Sequence, residues 1–305
     1  MPRSLLLIVS IVLLVTLSPH SADAQEKAKS PAVPPGIVYE GDVIFGVGGD
    51  VKLALDIARP EKLASPAPCI VVIHGGGWKQ GSKAAHQDAV IQFAKRGYVA
   101  ATVQYRLVPT ARFPSQIEDV KCAVRYLRAN ADNYKIDKDR FGAIGFSAGA
   151  HLSMLLGTMD KQDGLEGEGG HADQPSKVQA VVAFFGPTDL AQTDFPAAVG
   201  GLINDFLGDT LDEKPDIFKA ASPITYVNKG DAPTLIYQGT KDRLVPHAQA
   251  ILMADAMTKH GVPGRVELLI GADHGWGGME IFRTLEGSTD FFNEQLKHKP
   301  AKAQP

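Results

Sequence analysis

The feature that most constrains this chain is the pentapeptide Gly145-Phe146-Ser147-Ala148-Gly149, read together with its flanks. The run FGAIGF before the serine is apolar and short enough for a buried strand, and AGAHLSMLLG after it suits a helix. A chain that passes from strand to helix at a single serine must turn so sharply that flanking side chains would clash. Glycine on both sides is therefore the expected mark of an elbow that lifts a hydroxyl above a sheet, at a helix N-terminus. The five-residue pattern alone arises by chance in many proteins, and the strand and helix around it are what make it informative.

The rest of the chain repeats that alternation. Turn-bounded apolar runs at Ile37 to Phe45, Val51 to Ala58, Cys69 to His74, Tyr98 to Gln104, Phe141 to Phe146, Val178 to Phe185, Thr234 to Gln238 and Val266 to Ile270 read as eight strands. The first two, joined by a Gly-rich turn, suit an antiparallel hairpin at a sheet edge. Between the others lie segments of helical period, at 84–96, 148–156, 246–260 and 280–296, and a stripe Ile117, Val120, Val124, Leu127 that begins just after Pro114. Such alternation predicts an α/β fold: a mostly parallel eight-stranded sheet flanked by helices, in a single domain over residues 37–298. Two stretches break the rhythm. Residues 159–176 are so Gly-rich and charged that they read as a mobile loop, and residues 187–222 suit an insertion over the carboxyl edge of the sheet.

At the N-terminus Arg3 precedes an almost wholly apolar run from Leu5 to Leu17, which at thirteen residues falls short of the roughly 20 needed to span a bilayer. Ala22-Asp23-Ala24 follows with the small-x-small pattern of a signal cleavage site, so residues 1–24 read as a signal peptide, with an uncleaved anchor as the alternative, and export to the periplasm or medium is the expectation, with no membrane span in the mature chain. Residues 25–36 read as a flexible Pro-rich leader and 299–305 as a disordered tail. Export implies oxidising surroundings, yet the mature chain has only Cys69 and Cys122, which read as buried small hydrophobes rather than a bridge. A net charge of -3 offers no positive field for a polyanion, which argues against a nucleic-acid partner.

A second motif closes the strand CIVVIH as His74-Gly75-Gly76-Gly77-Trp78. Consecutive glycines let backbone come close to a substrate and aim N–H groups at a developing oxyanion. The amides of Gly76, Gly77 and Ala148 are the candidate donors. A phosphate-binding turn is the rival, but the chain has neither a Walker Lys-Ser/Thr pair nor GxGxxG spacing here. Trp78 is a candidate for lining the substrate site, with a buried structural role the alternative, and His74 reads as a support for the turn.

HGGGWKQGS, VQYRL, FPSQIEDVKCAVRYLRAN, IGFSAGAHL, TKDRLVP and DHGW, in that order, resemble the bacterial α/β-hydrolase family of acetyl and feruloyl esterases, related to the hormone-sensitive-lipase group. The resemblance covers nearly all of residues 37–296 and implies the α/β-hydrolase fold with a triad in the chain order Ser, acid, His. Relatives commonly carry a second Gly after the elbow, where this chain has Ala150. On that order Ser147 is the nucleophile. Asp242, just past the strand TLIYQG, is the preferred acid, with Asp189 behind it and Asp231 at the wrong end of the same strand. His274, in the loop after the last strand, is the base; His86, His151, His171, His247 and His260 read as structural or solvated. The implied chemistry is hydrolysis of short-chain acyl or feruloyl esters, free or linked to polysaccharide, with neither metal nor cofactor. An arylformamidase or peptidase of the same fold is the alternative within enzymes, and a non-catalytic binding module the alternative outside them.

Overall fold

The computed structural model describes residues 31–297, so the expected signal peptide (1–24), half of the expected leader (25–36) and the expected tail (299–305) lie outside the described residues. Eight strands form one sheet: β1 (Ile37–Gly48), β2 (Val51–Pro60), β3 (Ala67–Ile73), β4 (Val99–Val103), β5 (Ile136–Phe146), β6 (Ala180–Phe184), β7 (Thr234–Gly239) and β8 (Gly264–Leu269), in the spatial order β1-β2-β4-β3-β5-β6-β7-β8. β1 and β2 pair antiparallel, as do β2 and β4, and every later pairing is parallel. The strands expected from the sequence are all present, though β3, β5 and β8 begin earlier than their apolar runs. In β5 the extra residues are polar, Asp137 to Arg140, and no apolar signal marks them as strand.

All residues of β3, β4 and β6 are buried, as befits parallel strands covered on both faces. Helices α1 (Gln87–Lys95) and α8 (Gly278–Phe292) cover one face, where Val90, Phe93 and Phe292 meet Ile70, Val72 and Val182. Helices α2 (Ser115–Ala129), α4 (Ala148–Thr158) and α7 (Ala248–His260) cover the other, and there the stripe Ile117, Val120, Val124, Leu127 packs on Val71, Ala101 and Ala143. A four-residue turn of helix, α3 (Ala131–Tyr134), links α2 to β5. Cys69 on β3 and Cys122 on α2 are separate buried thiols.

The segment 159–176 is not the unpacked loop its composition suggests. Helix α2 presents three cations to it, Lys121, Arg125 and Arg128, each no more than 2% exposed. Arg125 donates to Glu166 Oε2 at 2.9 Å and to the carbonyls of Glu166 and Gly170 at 2.7 and 3.0 Å. Lys121 reaches Gly164 O at 2.8 Å and Glu166 Oε1 at 3.0 Å, and Ser176 completes the cluster by donating to the same oxygen at 2.9 Å. The glycines and charges are thus partners for a helix some forty residues away, which local composition does not disclose.

Residues 187–222 fold into α5 (Ala197–Leu207) and α6 (Pro215–Ala221). Both belong to the side of the sheet that carries α2, α4 and α7, with Phe206 and Phe218 in that core. The parallel order brings the loops after β3, β5, β6, β7 and β8 to one edge of the sheet, so residues far apart in sequence meet there.

Candidate active site

Ser147 closes β5 and precedes the first residue of α4, with φ 53° and ψ −120°. For a residue with a Cβ this is a strained conformation, costing about 1–3 kcal/mol, and it persists only because the surroundings enforce it. A Cβ on Gly145 would stand 2.1 Å from Gly149 O, and one on Gly149 2.1 Å from Ile73 O, so both glycines are required by close approach of backbone. The Ser147 amide donates to Phe184 O at 2.9 Å, pinning the turn to the end of β6.

His274, in the loop after β8, places Nε2 2.9 Å from Ser147 Oγ and Nδ1 2.8 Å from Asp242 Oδ2. Asp242, in the loop after β7, has its side chain fully buried. Its Oδ1 accepts the amides of Leu244 and Val245, both at 2.9 Å, and its Oδ2 also accepts Gln238 Nε2 at 2.9 Å. A carboxylate out of water in this way is stabilised by those donors. The structure therefore brings together Ser147, Asp242 and His274. Asp189, the runner-up acid, is turned to its own loop, accepting from Ala191 N and Gln192 Nε2. Asp231 pairs with Lys177 at 2.7 Å instead.

The glycine turn runs beside the serine: a Cβ on Gly75 would lie 3.3 Å from Ser147 Cβ. Gly76 has φ 111°, and a Cβ there would sit 2.1 Å from Gln80 O, so no larger residue fits this bend. Among the described residues no hydrogen bond uses the amides of Gly76, Gly77 or Ala148, which are left free to donate. His74 is buried, its Nδ1 2.7 Å from Gly75 O and its ring stacked on Tyr105 at 4.2 Å. Burial holds its pKa down to about 4, so the ring is neutral and suited to supporting the turn.

Trp78 does not line an open site. Its side chain is buried, stacked on Phe206 of α5 at 4.3 Å, and its Nε1 donates to His151 Nδ1 at 3.3 Å. The insertion covers it, and that is why a residue next to the glycines is structural. His151 in turn places Nε2 2.6 Å from Ala221 O, and burial holds it neutral, with a pKa of about 4. His86 is half-buried and stacked on Phe146 at 4.8 Å, rather than on an open helix surface. His171, His247 and His260 are exposed.

Several residues at the site carried no sequence signal that singled them out. Phe185, half-buried and with φ 45°, sets its ring edge-on to His274 at 4.7 Å and to Trp276 at 5.3 Å. Leu202 of α5 lies 3.4 Å from where a Cβ on Gly77 would be, placing the insertion against the glycine turn. Gln238 is the last residue but one of β7, a strand whose residues are otherwise read as core. A polar side chain at the carboxyl end of a parallel strand is the one clue that could have found it. No three His, Cys, Asp or Glu side chains converge as a metal site among the described residues.

Comparison with known proteins agrees with this architecture. The BD-FAE family model matches residues 55–257. The esterase LipC of Mycobacterium tuberculosis is 32% identical over 81% of this chain, and the chain spans 62% of the length of LipC. Among solved structures, a truncated carbohydrate esterase from gut microbiota superposes with a TM-score of 0.79 at 30% identity, covering 88% of this chain and 100% of that one. Esterase Est2 of Thermogutta terrifontis, solved with propionate bound, has a TM-score of 0.72 at 27% identity, covering 88% of this chain and 97% of that one. These neighbours are α/β-hydrolase esterases, and the eight-stranded sheet described above is that fold.

Proposed function

The chain belongs to the BD-FAE family, and from that membership and the geometry of its site we propose that it is a serine carboxylesterase acting on short-chain acyl esters, acetyl foremost, carried on polysaccharide or on small alcohols. The observation that carries this reading is the unbroken hydrogen-bond chain Asp242 Oδ2, His274, Ser147 Oγ, together with the amides of Gly76, Gly77 and Ala148, which have no partner among the described residues.

The steps follow from that geometry. Asp242 holds the proton of His274 on Nδ1, which leaves the Nε2 lone pair facing the serine hydroxyl. As Ser147 Oγ attacks the ester carbonyl, its proton passes to Nε2, and the carbonyl oxygen takes up negative charge against the amides of Gly76, Gly77 and Ala148. Each such donor is worth about 3–4 kcal/mol of barrier, and the N-terminus of α4 adds a favourable dipole. The C–O bond then breaks, with Nε2 returning the proton to the departing alcohol. Water, deprotonated by the same nitrogen, releases the acid from the acyl-enzyme.

A short acyl group is in keeping with the propionate-bound Est2 among the similar structures, and a carbohydrate ester with the gut carbohydrate esterase there. A feruloyl ester is the second reading, since Phe146, Phe185, Trp276 and His86 form a partly exposed aromatic group beside Ser147 and His274. The proposed export, which rests on the apolar run Leu5 to Leu17 and Ala22-Asp23-Ala24, is in keeping with a substrate outside the cytoplasm. Hydrolysis of p-nitrophenyl esters from acetate to decanoate, methyl ferulate and acetylated xylan by residues 25–305 tests the reading. Turnover of acetate and xylan is expected. A protein inert to every ester, or a Ser147→Ala variant as active as the parent, would overturn it.

A further inference from the structure

The acid and the base of the triad stand on two loops after the neighbouring strands β7 and β8, and a carboxylate outside the triad ties these loops next to both residues. Asp273 Oδ1 accepts two backbone amides, that of Arg243 at 3.0 Å and that of His274 at 2.8 Å. Arg243 directly follows the acid, and His274 is the base itself. A single oxygen thus fixes the residue after Asp242 and the residue that must meet Asp242. The other oxygen, Oδ2, takes the Arg243 guanidinium, with Nε at 2.6 Å and Nη2 at 2.5 Å.

The two loops are interlaced around this point. Lys241 N donates to Ala272 O at 2.9 Å, and Gly271 N donates to Thr240 Oγ1 at 2.9 Å. A Cβ on Gly239 would stand 2.5 Å from the carbonyl oxygens of both Ala272 and Asp273, so the approach of the loops depends on that glycine. Beyond the base, Trp276 anchors the loop to α8 by donating to Thr284 Oγ1 at 3.0 Å, and before the base the tie is Asp273. The 2.8 Å contact of His274 with Asp242 is thus held from both sides of the base.

We infer that Asp273 is a positioning residue: its carboxylate clamps the backbone amides of Arg243 and His274 and so sets the register of the base loop against the acid loop. The inference rests on the reading of Ser147, His274 and Asp242 as the catalytic triad. The amide clamp, rather than the ion pair, is the working part. Arg243 is 84% exposed on its side chain, where water and salt weaken an ion pair, whereas two N–H groups converging on one oxygen impose geometry. The Arg243 contact keeps the Asp273 carboxyl at a pKa of about 2, so the clamp stays charged across the range in which an esterase works.

Three variants separate these contributions. Asp273→Asn keeps an oxygen able to accept both amides and loses the pairing with Arg243. Asp273→Ala loses both, and Arg243→Ala loses only the guanidinium. Each is compared with the parent by kcat and KM on p-nitrophenyl acetate, by the pH profile of kcat/KM, and by the rate at which a fluorophosphonate probe labels Ser147. The expected result is a fall in kcat and in labelling rate of at least about ten-fold for Asp273→Ala with KM little changed, and a shift in the acid limb of the pH profile. Asp273→Asn and Arg243→Ala should stay within about three-fold of the parent. An Asp273→Ala variant equal to the parent in kcat, labelling rate and acid limb overturns the positioning role while the triad stands. So does an Asn variant as impaired as the Ala variant. A parent that neither cleaves an ester nor reacts with the probe overturns the functional reading itself.

Discussion

The side-chain amide of Gln238 and the imidazole of His274 donate to the same oxygen of Asp242, at 2.9 and 2.8 Å. Gln238 is fully buried and also reaches Val245 O at 3.0 Å, so one side chain ties the acid to the end of its own loop. A hydrogen bond to a charged group contributes about 1.5–3 kcal/mol. Replacing Gln238 by Leu, which keeps the volume and removes the donor, should lower kcat/KM by about ten-fold or more. Steady-state kinetics on p-nitrophenyl acetate checks this, and a Leu variant as fast as the parent would show that the two loop amides hold Asp242 unaided.

Asp242→Asn should be far more damaging. An amide at this position offers His274 Nδ1 the wrong partner and favours the tautomer with the proton on Nε2, facing Ser147. The loss expected is on the order of 10⁴-fold in kcat, with the fold intact. Activity is read beside a thermal melt; a full-strength Asn variant would remove Asp242 from the mechanism.

Gly149→Ala tests the packing of the elbow. The new methyl would lie 2.1 Å from Ile73 O, a backbone atom in the centre of the sheet that has nowhere to move. A cost above about 3 kcal/mol is expected, equivalent to a fall of about 10 °C in Tm. A variant that melts with the parent would mean that β3 and α4 can separate without penalty.

Stability should depend on pH through three histidines. Burial holds His74, His86 and His151 down to about 4 from 6.5, so each is neutral when folded and takes up a proton on unfolding below pH 6.5. The unfolded chain then binds more protons than the folded one, and stability rises with pH from about 4 to about 6.5 and levels off above. Each histidine contributes a slope of about 1.4 kcal/mol per pH unit within that window. Urea unfolding at pH 4.5, 5.5 and 7 checks the trend. A His151→Gln variant should lose about one proton's share of the slope, and an unchanged slope would count against this origin.

Glu166→Gln addresses the anchored loop. It removes the carboxylate with which the buried Lys121 and Arg125 both pair, and one-fifth exposure of Glu166 moderates the cost to about 2–3 kcal/mol. Limited proteolysis between residues 159 and 176 should be slow in the parent and accelerated in the variant. Ready cleavage of the parent would show that the buried cations do not hold this segment.

Some of this protein is local in its causes, and that part was legible in the sequence. The eight strands follow from apolar runs bounded by turns, and α2 follows from the 3-4 spacing of Ile117, Val120, Val124 and Leu127, because periodicity is a property of neighbouring residues. The elbow at Ser147 and the bend at Gly76 were legible for the same reason, since a tight turn excludes side chains at fixed positions. Pairing is another matter. The fate of Trp78 was decided by α5, whose Phe206 is more than a hundred residues away. Segment 159–176 was ordered by cations on α2, and Gln238 and Asp273 gained their places only when the loops after β7 and β8 met. Burial and hydrogen-bond partnership belong to the packed chain, where strand order, not sequence distance, decides which groups leave water together.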